Sequence, residues 1–374
     1  MERELFPVEG RIAEVKQKQR SIQELLSERG LDALLISRHE NIAWATAGLV
    51  DVRIAVTREV GAANLLFTRS GNSYYLTTNN EAPRLADEEF LHLDFEPLIQ
   101  PWYNNDIFGA ARKIAGGAKI AGDDGSSELP VVSMKPLRLH LNDGEIARYR
   151  WLGQNVAEAT TDALLALRPG MTETEMQALM AERLLQRGIL PSVLLTAADD
   201  RILSYRHAVP RAGVLQRFGM LNLCARRWGL VASITRYVHF SQMSAELEER
   251  FKAVAAVNAA LLHESRSGAT ADDLFAVARD GYTEQGFHGE EKMHHQGGAA
   301  GYWEREWIAR PGGSERVVEP QAMAWNPSIR GAKSEDTVLV RNQAIEVLTP
   351  TPRLPTVQIE YKGSTYQMAG VLHV

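Results

Sequence analysis

A change of sequence pattern near residues 141–144 divides this 374-residue chain into two unequal parts. Before it, short apolar runs that favour strands, of which 33–36 is the first, alternate with helical patterns. After it, the helical patterns are longer, and residues 145–167 form a continuous amphipathic one. The Asn-Asp-Gly sequence at the change is a turn signal. The pattern predicts two domains of α/β type, 1–141 and 142–374.

Three local signals predict where elements begin and end. Apolar residues recur at helical spacing from about residue 20 and stop at Gly30, a residue that commonly ends helices. Gly71-Asn72 separates two strand-like runs and predicts a hairpin turn. Thr172 and Glu175 have the spacing of a capping box, which predicts a helix start at this point.

Composition places the chain among ordinary globular proteins, with 45% apolar and 24% charged residues. The net charge of −6 gives no electrostatic basis for binding nucleic acid or an anionic membrane. Cys224, the one cysteine, cannot form an internal disulfide. No apolar run is long enough to span a membrane, and the first twenty residues have no signal-peptide core. We therefore expect a cytoplasmic protein.

Five segments of the second part contain polar residues suited to chemistry, in this order: His207, Asn222 with Ser233, His295, Asn326 and Glu335. A loop histidine such as His207 can transfer protons near neutral pH, although a surface histidine has the same pattern. Two strands about a turn would bring Asn222 and Ser233 into one cleft, and a plain hairpin fits equally well. No segment decides between these alternatives by itself.

Taken together, the five segments resemble the C-terminal domain of the pita-bread hydrolases, the peptidase M24 family of aminopeptidase P, prolidase, methionine aminopeptidase and creatinase. Residues 20–44 are similar to the opening of the creatinase/aminopeptidase P N-terminal domain. The resemblance covers about residues 20–374. It implies an α/β (α+β) fold with a small creatinase-type N-terminal domain, a pita-bread C-terminal domain and a homodimer.

The resemblance also implies five metal-ligand positions, most of which have lost their carboxylates. The two family aspartates fall on Asn222 and Ser233, the histidine on His295, and the two glutamates on Asn326 and Glu335. Hard divalent ions need several anionic oxygen ligands, and only one remains here. We therefore expect no two-metal centre and no other cofactor; a single weakly bound ion on His295 and Glu335 stays open as an alternative.

Creatinase, within the same fold, works without metal and uses a histidine at the position of His207. By this analogy we predict a metal-independent hydrolase of a C–N bond in a small amide, ureido or amidine substrate. His207 would act as general base and then acid, and Glu335 would bind a donor or a cation. Tyr302 and His295 would orient the substrate or stabilise an oxyanion.

Further residues are expected to contact the substrate. The former ligand positions in this group are Asn222, Ser233 and Asn326. Arginines would favour a substrate with a carboxylate, because guanidinium pairs with carboxylate. The candidates are Arg206, Arg305 and, reaching from the partner subunit, Arg53.

Two other functions fit the same resemblance. One is a metallopeptidase like Xaa-Pro aminopeptidase or dipeptidase, which would require Mn²⁺-dependent cleavage of an Xaa-Pro dipeptide. The other is a non-catalytic pita-bread binding protein, for which replacement of His207 would change no activity.

Overall fold

The computed structural model describes residues 6–116, 119–125 and 129–374. The chain forms two compact units. The N-terminal unit comprises Met1–Arg138 and Asp143–Arg148, and the C-terminal unit comprises Leu139–Asn142 and Tyr149–Val374. In the described ranges, no helix combines the length and the apolar character needed to cross a membrane.

The first helices and strands belong to the N-terminal unit. They are α1 Val8–Arg29, β1 Ala33–Arg38, α2 His39–Ala45, β2 Val60–Thr68, β3 Ser73–Thr78, α3 Ala82–Arg84, the π-helix Leu85–Glu89, β4 Glu96–Gln100, α4 Ile107–Ile114, β5 Ile120–Gly122 and α5 Lys135–Leu139. The strands form one sheet in the order β4-β3-β2-β1-β5. Leu35, Leu66 and Leu76 of its central strands lie in a hydrophobic core that includes Ala111 of α4.

The remaining elements follow α6, which spans the division between the two units. They are α6 Asp143–Ala166, α7 Glu173–Leu185, β6 Leu190–Ala198, α8 Asp200–Ser204, β7 Phe218–Arg227, β8 Leu230–His239, α9 Ala245–Glu264, α10 Ala271–Glu284, the 3-10 helix Glu290–Lys292, β9 Gly297–Ala300, β10 Trp307–Ile308, β11 Gln321–Trp325, β12 Ser328–Ile329, β13 Ala332–Lys333, β14 Asp336–Arg341, β15 Ala344–Val347, β16 Thr356–Tyr361, β17 Ser364–Ala369 and β18 Leu372–His373.

Two sheets dominate the C-terminal unit. One has the strand order β10-β9-β11-β14-β15 and is antiparallel throughout, and the other has the order β18-β8-β7-β6. One core cluster contains residues of α9 and α10, such as Leu261 and Tyr282, together with Met323 and Trp325 of β11. This packing fixes the ends of β9, β11 and β14, where the polar residues of the sequence motifs lie.

The three local signals are confirmed. Gly30 adopts a left-handed conformation (φ 61°) and donates its N–H to the last carbonyls of α1. Strands β2 and β3 pair antiparallel about the turn at Gly71 (φ 99°). Thr172 and Glu175 form the reciprocal bonds of a capping box at the start of α7. Helix α1, however, begins at Val8, well before the apolar pattern indicates.

Candidate functional site

Three of the motif residues meet because their strands are neighbours in one sheet. Trp325, the last residue of β11, pairs with Gly297 on one side and with Asp336 on the other. His295, Asn326 and Glu335 lie within two positions of these three residues in the chain, so they cluster at one end of the sheet. Asn326 and Glu335 are each only 3% exposed.

The hairpin of β7 and β8 supplies the facing residues. Its two-residue turn, Trp228-Gly229, has positive φ at both positions (52° and 80°), the geometry of a tight hairpin turn. This turn sets the register in which Asn222 lies opposite Thr235, and Cys224 lies opposite Ser233. Because side chains alternate along a strand, the residues at these two rungs share one face.

A cavity of about 340 Å³ opens between these elements, and six of the predicted site residues line it: His207, Asn222, His295, Arg305, Asn326 and Glu335. Ser233 lies behind the wall, fully buried, and accepts a hydrogen bond from Arg305 Nη1 (3.1 Å). The order of motifs in the sequence therefore corresponds to a single place in the fold.

A buried ion pair forms the floor of the cavity. Arg305 Nη2 donates to Glu335 Oε1 at 3.0 Å. The other carboxylate oxygen, Oε2, accepts from Asn222 Nδ2 and Thr235 Oγ1, both at 2.6 Å. Burial alone would raise the pKa of Glu335, but nearby Lys333 and Arg305 together hold it below its usual value. Glu335 is therefore an ionised group with both oxygens engaged.

Lys333 adds a second cation to this wall. It is 6% exposed and lines the cavity. Within the described part of the chain, its ammonium makes no hydrogen bond or ion pair. Burial lowers the pKa of Lys333, and the attraction of Glu335 offsets only part of that effect.

Three histidines converge at the cavity. His207 Nε2 and His294 Nε2 are 3.0 Å apart, and the rings of His294 and His295 stack with centroids 4.4 Å apart. Burial and the nearby cation Lys333 lower the pKa of all three, and Arg305 adds to this effect at His207 and His295, where it helps to bring the pKa of His295 to about 4. At neutral pH the cluster therefore consists of uncharged imidazoles, and His207 can accept a proton.

Comparison with known proteins identifies the family. Residues 148–342, just over half of the chain, match the model of metallopeptidase family M24. The chain belongs to this family. Its mixed α/β fold, with an N-terminal domain followed by a pita-bread domain, is confirmed.

The curated relatives match only in part. An uncharacterized peptidase of Staphylococcus aureus (strain MW2) is 23% identical over 58% of this chain and 64% of its own length. An Xaa-Pro dipeptidase of Lactobacillus delbrueckii subsp. lactis is 22% identical over 58% of this chain and 61% of its own length. The chain thus spans under two thirds of these relatives.

Solved structures show a closer match in fold than in sequence. Dipeptidase PepE from Mycobacterium ulcerans superposes with a TM-score of 0.75, covering 91% of this chain and 97% of that one, at 18% identity. At this level of identity the likeness establishes the fold alone.

The two-metal centre of M24 metallopeptidases does not fit the residues present in this member. Of the five ligand positions only His295 and Glu335 keep a ligating side chain, and Arg305 already occupies Glu335. Asn326 Oδ1 is buried without a hydrogen-bond partner among the described residues, but an amide oxygen is a weak ligand compared with a carboxylate.

A single transition ion has one other set of donors in the described chain. Ligand nitrogens of His207, His294 and His295 all lie within 4.8 Å of one another. Tetrahedral zinc with bonds of about 2.0–2.1 Å would separate its ligand nitrogens by about 3.3 Å. The three-histidine cluster is thus the place to examine if the protein retains any metal.

Three predicted site residues lie away from the cavity. Tyr302 is fully buried and does not line it, so Tyr302 does not orient substrate there. Arg206 does not line it either, since its guanidinium pairs with Glu290 and donates to the Ser328 carbonyl (2.6 Å). Arg53, in the N-terminal unit, pairs with a neighbouring carboxylate on Asp51 (2.8 Å). Its role across a dimer, and the dimer itself, stay predictions.

The structure also revises one role and adds residues to the site. Glu335 was expected to bind a donor or a cation of the substrate, but Arg305, Asn222 and Thr235 occupy its carboxylate oxygens. Lys333, Cys224 and Glu304 also line the cavity, and sequence reasoning assigned none of them. The sequence did contain a signal for Lys333: it lies two positions before Glu335, and residues two apart on an extended segment face the same side. Burial raises the pKa of Cys224 to about 11, so this thiol is a poor nucleophile.

Proposed function

We propose that this M24 family member is a hydrolase that cleaves a C–N bond in a small amide, ureido or amidine substrate without a two-metal centre. The carrying observation is the position of an uncharged imidazole, His207, on the wall of a cavity whose other walls hold Arg305 and Glu335. A base with a pKa below 6.5 is unprotonated at neutral pH and can accept the proton of attacking water.

Each step of the reaction has a group suited to it. Water adds to the electrophilic carbon while His207 removes its proton, and the same proton passes to the leaving nitrogen as the C–N bond breaks. His294, at 3.0 Å, holds the imidazole in place. Negative charge that develops on the substrate oxygen is stabilised by the Arg305 guanidinium. Glu335 positions Arg305 through its ion pair.

A second candidate is a metal-dependent Xaa-Pro dipeptidase. The names of the relatives favour it, since one is an Xaa-Pro dipeptidase and the others are peptidases or dipeptidases. The loss of anionic ligands weighs against it. The two candidates share the hydrolysis of a C–N bond and differ in the metal.

The experiment measures metal content and turnover on one preparation. Plasma mass spectrometry of untagged protein should find far less than one Mn, Co, Zn or Fe per chain. Chelator-treated protein should still release amine or ammonia from a member of a panel of amides, ureas and amidines. The His207→Ala variant should lower kcat by about 100-fold or more, while His288→Ala, which replaces an exposed histidine outside the cavity, should change it less than about twofold.

Other outcomes have defined meanings. Two ions per chain with Mn²⁺-dependent cleavage of Xaa-Pro dipeptides would replace the proposal by the dipeptidase. One ion per chain that His294→Ala removes would move the activation of water to the three-histidine cluster. Absence of turnover on the whole panel, with or without metal, would leave a binding protein.

A further inference from the structure

The charges around the cavity do not balance. Its wall contains the cations Arg305 and Lys333 and the carboxylates Glu335 and Glu304. Glu304 is engaged elsewhere, by Arg226 at 3.3 Å and by Ser192 Oγ at 2.8 Å. Two cations therefore share the single carboxylate of Glu335, which leaves one excess positive charge at the cavity wall.

The two cations also have unused hydrogen-bond donors. Of the five N–H groups of Arg305, three serve Glu335, Ser233 and the Glu304 carbonyl. Arg305 Nε is buried and has no partner in the described chain. The Lys333 side chain is 6% exposed, and its ammonium likewise bonds to none of the described residues. Buried donors without acceptors are costly, and a bound ligand that accepts from them removes that cost.

We propose that Arg305 and Lys333 form a carboxylate-binding subsite, so that the substrate is a small molecule with a carboxylate near its scissile C–N bond. The scissile C–N bond in this inference rests on the proposed function, whereas the carboxylate subsite rests only on the charges and hydrogen-bond donors of the cavity. A monoanion matches the single excess charge. A planar carboxylate can accept from the two donors at once.

The position of the subsite gives it a second role. Arg305 binds at Glu335 and Ser233, two of the positions that hold metal ions in the resemblance described above. The protein's own cations thus take the place of divalent ions as the electropositive centre of the cavity. A substrate carboxylate held there lies within the same cavity as His207.

The test compares two probes that differ only in charge. N-acetylglycine carries an amide bond and a carboxylate, and N-acetylglycinamide replaces the carboxylate by a neutral amide. Calorimetric titration of the full chain should show N-acetylglycine binding at least about tenfold more tightly. Inorganic phosphate, as a third probe, should bind more weakly than N-acetylglycine.

Variants locate the effect. Lys333→Met and Arg305→Gln should each reduce the preference for the carboxylate to less than about threefold. Lys292→Met and Arg279→Gln, the same changes at exposed positions, should leave it unchanged. If Arg305→Gln does not fold, the double variant Arg305→Gln/Glu335→Gln removes both members of the ion pair and leaves the net charge of the cavity unchanged.

Several results would overturn the inference. These are equal binding of the two amides, no binding of either at tens of millimolar, tighter binding of phosphate, or a preference that survives both variants. Charge preference without hydrolysis of any substrate would support the subsite and remove the proposed function. Hydrolysis of neutral amides, together with equal binding of N-acetylglycine and N-acetylglycinamide, would support the proposed function and remove the subsite.

Discussion

Each unit of the molecule buries a group of charges, and the two groups are built differently. In the N-terminal unit, Lys18 Nζ lies 2.7 Å from carboxylate oxygens of both Glu14 and Glu145. Arg148 makes a two-pronged pair with Glu14, at 2.8 and 3.0 Å. Two cations and two carboxylates cancel, and all four side chains are 8% exposed or less.

The charges of the cavity lack this balance. There, the two cations Arg305 and Lys333 lie beside one carboxylate, Glu335, and the cavity takes the place of a second carboxylate. We interpret a buried group whose charges balance and whose members are fully packed as part of the folded structure. A buried group with an excess charge beside a cavity can bind a ligand of opposite charge. The comparison separates a structural use of buried charge from a binding use, and mutations can test the separation.

The largest expected effect comes from removing a member of the balanced group. The Lys18→Met variant removes the cation that Glu14 and Glu145 share in the protein interior, and breaking a buried pair in this way costs about 3–5 kcal/mol. Urea unfolding should show this loss, whereas Lys16→Met, at an exposed position of the same helix, should show little. A loss below about 1 kcal/mol would mean that the group is not structural.

The two groups of charges should lose their contributions to stability over different pH ranges as the solution is acidified. The folded pKa of His295, about 4, is below its ordinary 6.5, so unfolded chains bind a proton first, and stability around the cavity falls between pH 6.5 and 4. Lys18 and Arg148, against the opposing effect of burial, lower the pKa of Glu14 from 4.5 to about 2. Its contribution is present above pH 4.5 and is lost between 4.5 and 2.

Hydrogen exchange, read separately on peptides of β1–β3 and of β7–β8, measures these two windows. His295→Asn should flatten the pH dependence of the cavity strands above pH 4, and Glu14→Gln should flatten that of the N-terminal unit below pH 4.5. Loss of protection in both units over one shared window would contradict the separation.

The balanced group also explains why sequence analysis placed the start of α1 too late. Arg11, Glu14 and Lys18 occupy the helical spacing of a buried face, together with the apolar Ile22 and Leu26. An apolar pattern cannot reveal a buried face made of ion pairs, because charged residues in a sequence indicate exposure. Where the buried face becomes apolar, the helix and its end at Gly30 were predictable.

At the cavity, the order of motifs predicted which segments meet, since neighbouring strands bring His295, Asn326 and Glu335 together whatever their chemistry. The direction of individual side chains was not predictable in the same way. Tyr302 follows β9 within the matched motif and still points into the core. The pairing of Arg305 with Glu335 joins residues thirty positions apart and depends on packing that no local pattern encodes.

The smallest expected effect on stability is the most informative about the unbalanced group. Lys333→Met is the same change as Lys18→Met, at a residue of similar burial (6%, against 4% for Lys18). Here the change removes an excess cation whose ammonium makes no ion pair with a described carboxylate. The methionine side chain takes the place of the apolar methylene groups of Lys333, so their packing is retained. The free energy of unfolding should therefore stay within about 1 kcal/mol of the parent value, or increase.

A loss of about 3 kcal/mol in urea unfolding, like that expected for Lys18→Met, would show that Lys333 stabilises the folded chain by itself. The cavity charges would then be structural, and the contrast between the two groups would disappear.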